Sequence, residues 1–134
     1  MTLGYPDEIL PYPAVEYIPL DIDTKLFKKN LNNKHKTKLY IFNNPNDATN
    51  ILNNFNINYN LTNISFSNNL LILLIGLKAE DIYYRGYNVQ IIGNPIPNSF
   101  HLFTISNKYF YKDKLVFNFF TSDGEKIISE SYQL

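Results

Sequence analysis

The run Leu70–Leu77, LLILLIGL, constrains this chain more than any other feature. It is the longest apolar stretch, and it is far short of the roughly 20 residues that a membrane-spanning helix needs. Within it, Leu70–Ile75 has no polar position. An exposed strand alternates apolar and polar residues, so a strand apolar on both faces must be covered on both. The run therefore predicts a central strand with a packed layer on each side. The chain has 134 residues, with 45% hydrophobic and 16% aromatic side chains. That is the length of one domain with enough apolar surface for a real core, and we read 1–134 as a single domain.

The sequence around this strand is rich in strand and turn signals. Leu39-Tyr40-Ile41-Phe42 reads as a short strand. Leu61–Phe66 reads as another, although its apolar residues are out of phase. Gly86–Ile92, with Tyr87, Val89 and Ile91 on one face, Phe100–Ile105, Leu115–Thr121 and Lys126–Tyr132 complete the set. Ser122-Asp123-Gly124-Glu125 is a hairpin turn, because Asp-Gly tolerates the left-handed conformations such a turn uses. Lys112-Asp113 reads as a tight turn, Gly93–Asn98 as a connection and Glu80-Asp81 as a loop. One helix is expected over 45–54. Asn44 can cap its first N–H groups, Pro45 suits the first helical position, and Asp47 complements the helix dipole. Ala48, Ile51, Leu52 and Phe55 recur at helical spacing, and so short a helix must pack on something. Strands about ten residues apart predict an antiparallel β-sandwich or open barrel with this one short α-helix.

The formal net charge is zero, which argues against nucleic acid as a partner. That neutrality conceals two blocks. Residues 1–23 carry Asp7, Glu8, Glu16, Asp21 and Asp23 with no base, together with four prolines. They read as an extended acidic arm in which Val15, Tyr17 and Leu20 begin an edge strand, where proline is tolerated. Residues 25–38 carry Lys25, Lys28, Lys29, Lys34, Lys36 and Lys38 with no acid. Lys28, Lys29, Lys34, Lys36 and Lys38 form a candidate basic patch, readable as a solvated loop, as an anion site or as the surface onto which the acidic arm folds. The N-terminal residues lack a basic region followed by an apolar run and a cleavage site. No signal peptide and no membrane insertion are expected, and a soluble chain fits either the cytoplasm or a mature fragment of an envelope protein. The chain also holds 20 asparagines, all between Asn30 and Asn118, which suit turns and caps.

Catalytic constellations are scarce. Without cysteine there is no disulfide, no thiolate metal site and no cysteine nucleophile. His35 and His101 are the only histidines, and neither has metal-ligand spacing to a second one. Each is read as an exposed loop or strand residue. Glu80-Asp81 is an acidic pair with no calcium-loop pattern around it, and adjacent side chains diverge, which is poor for paired acid–base work. There is no nucleophile elbow, P-loop or dinucleotide fingerprint. We therefore expect a non-enzyme and assign no catalytic residue, cofactor or metal. The aromatics carry more information. Tyr83, Tyr84, Arg85 and Tyr87 form one cluster, and Tyr109 and Tyr111 another. Tyrosine and arginine dominate interaction hot spots, so these six residues are the candidate interaction surface. The alternative is that the rings complete the core. Arg85, Lys108, Lys112 and Lys114 are too few to make a nucleic-acid stacking groove.

One family shows a similar order of elements. Leu39-Tyr40-Ile41-Phe42 is followed by the helix Asp47–Phe55, then Ile64-Ser65-Phe66-Ser67, the apolar strand Leu70–Ile75, Gly76-Leu77-Lys78 and Gly86-Tyr87-Asn88-Val89-Gln90-Ile91. This resembles the PrcB-like protease-complex-stability domain over about half the chain. Ser65-Phe66-Ser67 stands at the family's D-F-S step, with Ser in place of Asp. Gly76, Lys78, Gly86, Tyr87, Val89 and Ile91 match its glycine–tyrosine signature. Ala79–Arg85 intervenes where the family's Thr-Gly-Gly-Tyr is compact, and the Asp123-Gly124 hairpin departs from its usual ending. The resemblance implies a small mostly-β module that binds another protein and carries no catalytic residues. The expected function is accordingly a protein–protein interaction module, such as a stabilising or assembly subunit of a larger complex. Two alternatives stand beside it: a small-ligand or carbohydrate-binding sandwich using the Tyr83–Tyr87 segment, and a self-assembling subunit that uses the acidic arm.

Overall fold

The computed structural model describes residues 13–22 and 37–134. The six strands are β1 (Tyr17–Pro19), β2 (Lys38–Phe42), β3 (Asn69–Arg85), β4 (Asn88–Ser106), β5 (Lys114–Thr121) and β6 (Lys126–Gln133), and the helix is α1 (Pro45–Asn54). The sheet runs in the order β2-β3-β4-β5-β6 without closing, and β1 joins β4 separately. Among the described residues the protein is thus mostly β with one α-helix, as its strand and turn signals predict.

The organising element is the long β3–β4 hairpin. Its ladder is interrupted between Ile75 and Leu77, where Gly76 takes a left-handed φ of 74°. On β4 the pairing jumps from Phe100 to Pro95, so Ile96, Pro97, Asn98 and Ser99 bulge out opposite Gly76. The Ser99 hydroxyl closes this bulge by donating to the Ile96 carbonyl at 2.6 Å. Gly93–Asn98 is therefore no connection between elements but an irregular stretch of one strand. Proline lacks the N–H that a regular ladder needs, and the bulge accommodates it.

At this crease the hairpin folds into two half-sheets packed face to face. The first half holds β2, residues 69–75 of β3, residues 100–106 of β4, and β1. The second holds residues 77–85 of β3, residues 88–95 of β4, β5 and β6. Leu70, Ile72, Leu74, Phe103 and Ile105 of the first half share one core with Leu77, Ile82, Val89, Ile91, Phe117 and Phe119 of the second. On the opposite face of the first half, Leu71, Leu73, Ile75 and Leu102 pack against Ala48 and Leu52 of α1 and against Ile57. All six residues Leu70–Ile75 are at most 2% exposed, so both faces of this strand are covered as its composition predicts. Burial of a Leu or Ile contributes roughly 1.5–3 kcal/mol each.

The fold also explains one departure from an all-antiparallel arrangement. β4 and β5 pair in parallel, Asn88 opposite Val116 through Gly93 opposite Thr121. Parallel neighbours need a long return connection. Here the second half of β4, folded back at the crease, is that return.

The helix begins and ends where its signals place it. Asn44 Oδ1 accepts the Asp47 N–H at 2.9 Å, and Asn44 Nδ2 donates back to the Asp47 carboxylate at 2.9 Å. Leu61–Phe66 is not a strand. Asn60 caps a 3-10 turn over Leu61–Asn63, and the segment lays Leu61, Ile64 and Phe66 against the helix layer. Glu80-Asp81 lies inside β3 rather than in a loop. A second register shift between Ala79 and Asp81 leaves both carboxylates exposed while Ala79 and Ile82 point inward.

That bulge is sealed by side chains. The Ala79 N–H donates to His101 Nδ1 at 3.0 Å. The Tyr17 hydroxyl lies 3.1 Å from the Ala79 carbonyl and 3.0 Å from that of Glu80, and donates to them. Residues 13–20 thereby strap the two halves together. Val15 N–H bonds to the Ile82 carbonyl at 2.8 Å on one half, and Leu20 N–H to the Leu102 carbonyl at 2.9 Å on the other. Within this segment Tyr17–Pro19 form β1, which pairs with β4.

Candidate functional site

Because the β3–β4 hairpin doubles back, its turn and its open end meet at one pole of the molecule. The turn Gly86-Tyr87 sits beside the segment that leaves β4, a 3-10 turn over Asn107–Tyr109 followed by Phe110 and Tyr111. The two aromatic clusters of the sequence are thus joined in space.

Tyr84 is the base of the assembly. It is 4% exposed and belongs to the shared core, so it is foundation rather than contact surface. Phe110 packs edge-on against it with ring centroids 5.0 Å apart, and Tyr111 does so at 5.4 Å. Such pairs contribute roughly 0.5–1.5 kcal/mol each beyond burial. The Tyr84 hydroxyl accepts the Tyr111 N–H at 3.4 Å. Burial raises the Tyr84 phenol above its ordinary pKa, against a smaller lowering by that hydrogen bond.

Tyr111 is 67% exposed, yet it is held at both ends. Its hydroxyl accepts the Gly86 N–H at 2.9 Å, which ties it to the hairpin turn. Gly86 has a left-handed φ of 64°, a conformation that turns the chain tightly there. Tyr109 is half-buried, and its hydroxyl accepts the Glu16 N–H at 3.2 Å. Lys108 lies 5.3 Å from the Tyr109 ring centroid and Lys112 lies 5.7 Å from that of Tyr111. Contacts of this kind contribute roughly 0.5–1 kcal/mol at exposed sites.

Two depressions flank the Tyr111–Gly86 bridge. One, of about 370 Å³, is lined by Pro13, Ala14, Val15, Tyr84, Arg85, Tyr109 and Tyr111. The other, of about 350 Å³, is lined by Tyr87, Lys112, Asp113, Lys114 and Val116. Tyr87 is 55% exposed at its rim.

Five of the six candidate surface residues therefore converge. Tyr83 does not join them. It faces the other side of β3, half-buried against Ile92 and Phe120. Of the candidate basic patch, Lys28, Lys29, Lys34 and Lys36 lie outside the described residues, as does His35, and Lys38 is exposed at the start of β2. Sequence reasoning missed the wall formed by residues 13–15, since nothing local marks that segment as a neighbour of Tyr84. It missed Phe110 too, although the alternation of Tyr109-Phe110-Tyr111 signals one inward ring between two outward ones.

Other polar groups offer less. His101 is half-buried rather than exposed, and its ring packs against those of Tyr17 and Phe103. Burial, and then the charge of Lys78, lower its pKa to about 4. Its Nδ1 is committed to the Ala79 N–H. Gln90 is buried opposite Asn118, and its Oε1 has no hydrogen-bond partner among the described residues. Among the described residues, no three His, Asp or Glu side chains gather where they could hold a metal ion, and no helix is long and apolar enough to cross a membrane. Comparison of the chain with family models, curated proteins and solved structures returned no match.

Proposed function

We propose that this chain is a non-catalytic protein-binding module whose contact surface is the tyrosine-walled pole of Arg85, Tyr87, Tyr109 and Tyr111, built on the buried Tyr84 ring. The observation that supports this most is Tyr111, a largely exposed ring fixed by two hydrogen bonds and by packing on a buried ring. A rigid exposed tyrosine loses little conformational entropy on binding, which suits an interface anchor. The resemblance to a protease-complex-stability domain supports the same reading, a subunit that stabilises or assembles a larger complex. Its order of strand, helix and long apolar strand corresponds to β2, α1 and β3 here.

The test is purification of the tagged chain from its native source in wild-type and Tyr111→Ala forms. A stoichiometric protein should accompany the wild type and be lost from the variant, with the circular dichroism spectrum unchanged. Equal recovery of that protein by both forms refutes the surface assignment.

Carbohydrate binding is the second reading. It is favoured by Tyr87 and Tyr111, which present exposed rings beside shallow, mainly apolar depressions, a geometry suited to stacking on a sugar face. A glycan array probed with the same pair of proteins separates the two. Under the protein-binding reading no glycan is retained in a Tyr111-dependent way.

A further inference from the structure

The outward face of the second half-sheet is buried, and no described element lies over it. Val89, Ile91, Phe117 and Phe119 belong to the shared core. Their neighbours along the strands alternate to the opposite side. There Gln90 stands beside Asn118, and Ile92 beside Phe120, across the paired strands β4 and β5. Gln90, Asn118, Ile92 and Phe120 are only 4%, 6%, 1% and 6% exposed. Tyr83, opposite Gln90 on β3, is half-buried against Ile92 and Phe120. Among the described residues no other apolar side chain joins that cluster, and α1 packs on the first half. A sheet face with nothing over it is solvated, so these burials require a covering layer. The exposures are those of a single chain, so the chain supplies its own cover.

Two stretches outside the described residues compete for this role, 1–12 and 23–36. Both flanks of 23–36 lie on the first half. Leu20 and Ile22 pack against the helix layer, and Lys38 pairs opposite Ile75. That stretch also carries Lys25, Lys28, Lys29, Lys34 and Lys36, a composition suited to solvent. Residues 1–12 instead lead into the second half. The Pro13 carbonyl accepts the Tyr84 N–H, and Ala14 lies opposite Tyr83. Residues 1–12 therefore join the described chain at the Tyr83 margin of the buried face. From β3 to β5 is two strand spacings, about 10 Å. Twelve extended residues reach up to about 40 Å, more than enough to cross it. Leu3, Tyr5, Ile9, Leu10 and Tyr12 offer apolar side chains. Pro6 and Pro11 have no N–H to leave unpaired, and the Gln90 and Asn118 amides offer donors and acceptors to the rest of the main chain.

We infer that residues 1–12 fold back across the outward face of the second half-sheet and seat their apolar side chains on Ile92 and Phe120. The face is thus an intramolecular dock, and Tyr83 belongs to it rather than to the tyrosine-walled pole. The inference is independent of the protein-binding reading above, because none of the residues in the dock is part of that contact surface.

The test uses the absence of cysteine, which lets one introduced thiol carry a nitroxide label on the full chain. A label on Asp7→Cys should broaden the side-chain amide resonances of Gln90 and Asn118 severalfold more than a label on Lys29→Cys does. Adding Ile9→Asp and Leu10→Asp to the chain labelled at position 7 should remove that broadening and lower the urea midpoint, because carboxylates are too costly to seat on Ile92 and Phe120. Resonances that stay sharp with the label at position 7, or that broaden more with the label at position 29, overturn the inference. Broadening that survives Ile9→Asp and Leu10→Asp overturns it as well, since the tether at Pro13 would then account for the proximity. If that variant fails to fold, the comparison of the two labels still decides.

Discussion

Gly93 shows how tightly single residues are specified in the second half-sheet. A Cβ at this position would lie 1.9 Å from the Lys78 carbonyl oxygen and 3.0 Å from the Phe119 ring. The obstacle is backbone on the neighbouring strand, which cannot rotate away. Gly93→Ala should therefore destabilise the protein by on the order of 3 kcal/mol or more, as overpacking against fixed backbone does. Urea denaturation checks this, and a loss under 1 kcal/mol contradicts the close approach. His101 is specified by what its Nδ1 accepts. Protonation would replace an acceptor by a donor facing the Ala79 N–H, with Lys78 nearby. The folded-state pKa is about 4, below the ordinary 6.5. Above pH 6.5 the ring is neutral in both states and the site adds no pH dependence. From pH 6.5 down toward 4 the unfolded chain binds the proton and the folded chain does not, so stability falls. The ring is partly solvated, and the loss should be on the order of 1–2 kcal/mol after that discount. His101→Gln keeps an acceptor and removes the titration, so its stability should change less than the wild type's between pH 6.5 and 5. Parallel profiles for the two proteins would exclude His101 as the source.

At the scale of elements, α1 was legible because its instructions are local. Asn44, Pro45, Asp47 and the apolar positions from Ala48 to Phe55 all lie within a few turns of each other. Asn44→Ala should cost about 1 kcal/mol, and Asn44→Ser should recover most of it. A thermal melt showing no difference between Asn44 and Ala would mean that packing on β2 and β3 alone holds the helix. The apolar run 70–75 was legible for a similar reason, since its two-sided burial is written in six consecutive residues. The crease was not. Gly76 and the Pro95-Ile96-Pro97 stretch read as ordinary punctuation, yet they sit opposite each other and bend one hairpin into two layers. The exposed Glu80-Asp81 pair looked like a loop because a bulge had broken the alternation that identifies a strand. The site was legible in its residue types and not in its assembly. Tyr84 and Tyr111 are 27 positions apart, and Glu16 and Tyr109 are 93 apart, so only the return of the hairpin unites them. Tyr83 and Tyr84 are adjacent in sequence, and strand geometry sends them to opposite faces.

At the scale of the whole molecule, the two half-sheets should not unfold separately. Their inner faces form a single core, with Ile72 and Phe103 of the first half packed in the same cluster as Val89 and Phe117 of the second. The strap over residues 13–20 bonds to both halves across the crease. Apart from the α1-covered face of the first half and the small Ile92–Phe120 cluster, the apolar core is common to both halves. The urea transition followed by far-ultraviolet circular dichroism, which reports strands throughout, should therefore coincide with that followed by near-ultraviolet signals from the tyrosine-rich pole. Ile72→Ala lies in the first half, in the core common to both. It should cost about 2–5 kcal/mol and shift both transitions equally. Two separated transitions, or a shift confined to one probe, would show that the crease is a boundary between cooperative units. Folding should also be slow for a chain of this size. The parallel β4–β5 pair and the strap form only after distant segments meet, and such non-local topologies fold on millisecond-to-second scales. The tyrosine-walled pole joins the hairpin turn, the end of β4 and the strap, so it is completed only when all three have docked. Refolding monitored by the near-ultraviolet signal of the tyrosine-rich pole should accordingly lag or match, and never precede, recovery of the far-ultraviolet β-sheet signal.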